Sequence, residues 1–213
     1  MSDQENERSE RGVGQVAPHI PKPARERGRI APVRLSHVVR RTARLDEMAD
    51  WYRTVLEAEV VFANEALAFL TYDEEHHRIA IAAVPGLSDR AELAAGTDHI
   101  AFTYEDLDAL IQTYRRLKAA DITPFWAIHH GPTMSMYYKD PDGNQMEFQV
   151  ECFESTDEAN DFMSSPAFAS NPIGVEYDPE ELLAQKESGV PLSQFLVRQE
   201  HEPISPIRGV LGG

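Results

Sequence analysis

An internal repeat constrains this chain more than any other feature of its sequence. Residues 33–84 read as strand, helix, strand, strand, strand. VRLSHVVRR alternates and is rich in β-branched residues, the mark of a strand. Leu45 opens a helix in which Met48, Trp51, Tyr52 and Val55 recur at helical spacing. EVVFANE, ALAFLTY and HRIAIAAV then read as three short strands separated by polar turns. Residues 97–151 go through the same order. TDHIAFTY is a strand, and 106–120 is a helix with Leu107, Leu110, Ile111, Tyr114 and Leu117 on one face. Strands follow over 125–129, SMYYKD and NQMEFQVE, the last after the turn formers Asp140, Pro141, Asp142 and Gly143. The sequence thus predicts an α+β fold in which one βαβββ module occurs twice, at a period of about 62 residues. Its modules would span 33–95 and 96–153 and form one domain.

The repeat also places chemistry. His37 and His99 stand 62 residues apart, in the first strand of each module. Glu147 lies in the last strand of the second, between Met146 and Phe148. Two imidazoles and one carboxylate on one face of a metal leave other positions open, which suits non-haem Fe(II) and oxygen chemistry. Imidazole also suits zinc, manganese and nickel, so ligand type leaves the metal open. Neighbouring residues on a strand point to opposite faces, so at most one of His76 and His77 turns toward a pocket. The same holds for Tyr137 and Tyr138. A pairing whose residue numbers sum to an even value puts Tyr137 on the face of Glu147, and an odd sum puts Tyr138 there. Phe125, Trp126, Met134 and Met136 read either as an aromatic-friendly lining or as plain core.

Charge outlines the flanks. The net charge of −16 divides as +2 over residues 1–34, −9 over 35–150 and −9 over 151–213. So acidic a chain repels nucleic acid and anionic membranes. One cysteine, Cys152, leaves no internal disulfide and no cysteine-based zinc cluster. The longest apolar run, residues 79–84, is far short of the ~20 that span a bilayer. The charged start lacks the apolar core of a signal peptide, and a cytoplasmic location is expected. Residues 1–32 carry Pro18, Pro21, Pro23 and Pro32 among polar neighbours and read as a flexible arm. In 154–213, Asp178 and Pro179 cap a helix containing Leu182 and Leu183, and PLSQFLVRQ reads as a second short one. This helical tail is expected to pack on the core or on another subunit, which makes a homo-oligomer the expected assembly.

With these residues in view, the sequence resembles the vicinal oxygen chelate superfamily, and within it the type I extradiol dioxygenases that cleave catechols. The likeness runs over about residues 33–153 and rests on LSHVV, EHHRIAIAA, TDHIAFTY and YYKDPDGNQMEFQVE. It implies iron ligands at His37, His99 and Glu147. It implies an acid–base histidine at the second of the His-His pair, His77, and an active-site tyrosine at Tyr137. A further pocket histidine is implied at His130, with His129 as the other candidate. The connection from His77 to His99 is longer than the family pattern, as if LSDRAELAAG were inserted. Glyoxalase I and its four-ligand relatives draw a ligand from the last strand of each module, whereas RIAIAAV holds no Glu or Gln.

The resemblance therefore implies ring cleavage of a small aromatic diol by Fe(II), or Mn(II), and O2. Two other classes stay open at this point: a metal-dependent lyase or isomerase of the glyoxalase type, and a non-catalytic module binding an aromatic compound or antibiotic.

Overall fold

Each module opens with a strand and a crossover helix. The computed structural model describes residues 22–88, 95–199 and 202–208. In module one, β1 (Val38–Thr42) leads into α1 (Leu45–Leu56), then β2 (Glu59–Ala63), β3 (Leu67–Thr71) and β4 (Ile79–Ala83). In module two, β5 (His99–Thr103) leads into α2 (Leu107–Ala119), then β6 (Trp126–His129), β7 (Thr133–Lys139) and β8 (Gln145–Glu151). The helix carries the chain across, so the last strand returns parallel to the first: β4 beside β1, and β8 beside β5. The sheet orders are β1-β4-β3-β2 and β5-β8-β7-β6, with a short β9 (Val175–Glu176) added beyond β6. This is the repeated βαβββ arrangement the sequence predicts.

The helices form where their apolar spacing demands it. Met48, Tyr52 and Val55 of α1 are buried, as are Leu107, Leu110, Ile111, Tyr114 and Leu117 of α2. Each large side chain so buried contributes about 1.5–3 kcal/mol before entropy is counted. Asp106 caps α2 by accepting a hydrogen bond from the Ala109 backbone at 2.8 Å, a contact worth about 1 kcal/mol. One core spans both modules and takes in Leu70, Ile79 and Ile81 from the first and Met136, Met146 and Phe148 from the second.

Cross-strand register sorts the other face. Trp126, Tyr137, Glu147 and Ala101 form one row across the second sheet. The matching row of the first sheet is Phe62, Phe69, Ala80 and Val39.

Several local expectations change. The first strand begins at Val38 rather than Val33, which leaves His37 one residue ahead of it. His76 and His77 lie in the loop before β4, so strand alternation does not separate them. PLSQFLVRQ makes only a 3-10 turn, Leu192–Gln194. Among the described residues, the tail holds three α-helices: α3 (Thr156–Met163), α4 (Pro166–Ser170) and α5 (Pro179–Glu187). Leu182 of α5 joins the common core. β9 escapes sequence reading because two residues are too few to display a period of two. Residues 1–21 of the expected arm and 89–94 of the long His77–His99 connection lie outside the described residues. Among the described residues, no helix is long and apolar enough to cross a membrane.

Candidate metal centre and its surroundings

The site is built outward from β8. Glu147 pairs with Tyr137 across β7–β8, an even-sum register that turns Tyr137, and not Tyr138, to its face. Tyr138 is 1% exposed on the core side, within the helix-packed cluster. Ala101 pairs with Glu147 on the other side, so His99, two residues earlier on β5, projects to the same face. Its Nε2 lies 3.1 Å from Glu147 Oε2. Its Nδ1 lies 2.8 Å from Asp98 Oδ2. A carboxylate on Nδ1 holds the ring and directs Nε2 inward, the usual support for a metal-ligating imidazole.

Glu147 is 5% exposed. Burial works to raise its pKa, but hydrogen bonds from His99 and Ser135 outweigh this and keep the carboxyl below its ordinary range. The same contact with Glu147, aided by Asp98, pushes His99 up to about 9. The metal-free pair is thus an imidazolium and a carboxylate.

His130 completes this side. Its Nε2 is 3.0 Å from the Tyr137 hydroxyl and 3.7 Å from Glu147 Oε1. Its Nδ1 meets the Ile173 carbonyl at 2.5 Å. Burial lowers its pKa. His129 points the other way: it pairs with Met134 in the core-facing row, and burial holds it down at about 4. Of the two candidates, His130 is therefore the one beside Glu147. Burial, reinforced by the Glu147 charge, pushes Tyr137 well above its ordinary pKa, so the hydroxyl stays protonated. Trp126 stacks near it with ring centroids 4.8 Å apart.

His37 and His77 form a second group on module one. Their ring centroids are 4.3 Å apart, and His77 stacks on Phe69 at 4.8 Å. The His76 ring lies 4.5 Å from that of His77. Burial, then repulsion from His37 and His76, lowers the pKa of His77 and keeps it neutral. His37 lines a cavity of about 510 Å³ whose far wall is β5, including Ala101 and Thr103. The structure thus brings His99, Glu147, Tyr137 and His130 together on module two, and His37 with His77 as a separate group on module one. Among the described residues, no three His, Cys, Asp or Glu side chains already stand at metal-holding distances.

The donor set nevertheless fits a metal. A buried carboxylate aimed at an imidazole whose distal nitrogen is anchored is the chemistry of a hard or borderline cation site. His99 and Glu147 are the two donors here that could hold such an ion. Among the described residues, the first module has no carboxylate at the position equivalent to Glu147. Ala80 occupies the place that Glu147 holds in the second, since it pairs with Val39 as Glu147 pairs with Ala101.

The family model for the Glyoxalase/Bleomycin resistance protein/Dioxygenase superfamily matches residues 34–148. The chain belongs to this superfamily. Among its relatives, biphenyl-2,3-diol 1,2-dioxygenase 2 of Rhodococcus globerulus is 42% identical over 78% of this chain and 87% of its own length. Biphenyl-2,3-diol 1,2-dioxygenase 3 of the same organism is 41% identical over 78% of this chain and 88% of its own. A glyoxylase/bleomycin resistance protein/dioxygenase domain from Frankia sp. EAN1pec matches the fold at a TM-score of 0.50. That match is 17% identical and covers 60% of this chain and 98% of that one. Within this superfamily member, sequence reasoning missed Asp98 and the Ile173 carbonyl. An acidic neighbour of His99 was a readable signal for the first. The second comes from the tail, and no local pattern announces it.

Proposed function

We propose that the protein is an extradiol ring-cleaving dioxygenase acting on a catechol-type aromatic diol with Fe(II) and O2. What carries the reading is the 42% identity to a biphenyl-2,3-diol 1,2-dioxygenase over 78% of the chain. It is supported by the shared face of His99, Glu147, Tyr137 and His130, and by Ala80 where a four-ligand glyoxalase would need Glu or Gln.

In this reading His37, His99 and Glu147 hold the metal. When bound, the ion supplies Lewis acidity toward the two diol oxygens and a path for electrons from the ring to O2. Mn(II) suits the same ligands. His77, kept neutral, accepts a proton from the diol and later returns it. Tyr137, kept protonated, hydrogen-bonds a substrate oxygen. His130 orients the substrate from the side of Glu147. Trp126 and Phe125, both packed near Tyr137, would supply the aromatic side of the substrate site. Self-association through the tail belongs to the same reading, and a single-chain mass by light scattering would remove that part.

The deciding experiment mixes anaerobically Fe(II)-loaded protein with a panel of catechols and then admits O2. Stoichiometric O2 uptake with a yellow ring-fission product is expected. Tight catechol binding with no O2 uptake under any loading would overturn the assignment in favour of a binding module.

A further inference from the structure

We propose that the C-terminal extension is part of the site, with Arg198 as a positioning residue that fixes the tautomer and orientation of His130. The inference rests on His130 serving the ring-cleavage pocket proposed above.

The argument starts at a carbonyl. Ile173 O can only accept, so the 2.5 Å contact requires hydrogen on His130 Nδ1. A neutral ring then leaves Nε2 bare, and the Tyr137 hydroxyl, 3.0 Å away, donates to it. One backbone oxygen of the extension therefore sets the direction of a hydrogen-bond chain that ends beside Glu147.

Arg198 holds that oxygen in place. It is 6% exposed. Its Nη1 donates both to the His130 carbonyl at 2.9 Å and to the Asn171 carbonyl at 2.8 Å. Its Nη2 reaches the Ala167 carbonyl at 3.3 Å, and the guanidinium lies 5.2 Å over the Phe162 ring. One nitrogen thus ties the backbone of His130 to the segment that presents Ile173. Asn171 stiffens the segment by clasping Gly174, accepting from its N–H at 2.7 Å and donating to its carbonyl at 3.1 Å.

The two segments meet without room to spare. At Gly131 (φ +108°) a Cβ would come within 2.2 Å of Phe162, and at Gly174 (φ +124°) within 2.4 Å of the His129 carbonyl oxygen. Lysine cannot reproduce the grip, because its single nitrogen lacks the planar spread of donors.

The test is a double-mutant cycle on the full-length, metal-loaded protein. Arg198→Lys should lower kcat/KM for ring cleavage about 10- to 100-fold, the range for residues that orient a site from one layer out. In a His130→Gln background the same change should cost nothing further. Equal, additive losses in both backgrounds would overturn the proposal, because a merely structural clamp acts whatever stands at position 130. Arg198→Met is the harsher variant; where it fails to fold, Arg198→Lys carries the cycle.

A second readout needs no turnover. Long-range 15N–1H spectra of the metal-free protein, with His130 identified by its loss in His130→Gln, should show the Nδ1–H tautomer in the parent and a mixture in Arg198→Lys. An Nε2–H parent, or an unchanged pattern in the variant, would overturn it. If the parent cleaves no catechol, the proposed activity falls while the spectra still judge the role of Arg198.

Discussion

At the scale of the residue, the site depends on where protons reside. Glu147→Gln keeps shape and removes charge, so iron occupancy measured by elemental analysis should fall to a small fraction of the parent. Full occupancy would exclude Glu147 as a ligand. His77→Ala should lose turnover by about 100-fold or more with iron content near normal, as expected of a general base. Unchanged turnover would remove that role. His99 makes a prediction about the metal-free protein. Its folded pKa of about 9 lies above the ordinary 6.5. The stabilisation from its charge is therefore fully present below about 6.5 and is lost as pH rises through about 9. Thermal melts of metal-free parent and His99→Gln between those limits should show a falling Tm only in the parent; parallel curves would contradict the ion pair. Much of this set is legible in sequence, since a repeat that returns a histidine to the same place twice is a strong pattern. The choice between Tyr137 and Tyr138 is not, because it depends on the parity of a pairing register that local residues do not encode.

At the scale of the element, the junction between the β6–β7 loop and the tail is closely packed around two glycines. Both glycines there have positive φ, but their surroundings differ. A methyl at Gly174 meets backbone, whereas a methyl at Gly131 meets the edge of a phenyl ring that can turn. Gly174→Ala should therefore cost more, roughly 2–3 kcal/mol against about 1–2 for Gly131→Ala. Urea unfolding checks the order, and the reverse ranking would mean the backbone approach is looser than it looks. Helices α1 and α2 were readable because their apolar residues recur at i, i+3, i+4. β9 and the start of β1 were not. Residues 33–37 alternate like a strand, yet hydrogen bonding to β4 begins only at Val38. Without a partner, an alternating pattern is not a strand.

At the scale of the whole molecule, the modules are joined through buried polar contacts as well as core. The Tyr52 hydroxyl, at the heart of α1, donates to Asp140 Oδ2 at 3.1 Å in the β7–β8 turn and accepts from Arg40 Nε at 3.1 Å. Tyr52 is fully buried and Asp140 is 4% exposed. Tyr52→Phe should lower unfolding free energy by about 1–3 kcal/mol, because it leaves a buried carboxylate short of a donor. Denaturant titration read by two probes checks both the size and whether the modules still unfold together. The module and its duplication, the helix faces, the DPDGN turn and the identity of the ionisable residues are all written in the chain. These follow from short-range periodicity and turn chemistry, which each segment carries alone. Which tyrosine and which of His129 and His130 face Glu147 was settled by strand pairing in the folded chain. Tertiary structure alone put Ala80 in the fourth-ligand place, and it alone brought residues 171–174 and Arg198 behind His130. Those outcomes depend on register and on contacts between residues far apart in the chain, and such pairings belong to the assembled sheet rather than to any stretch of sequence.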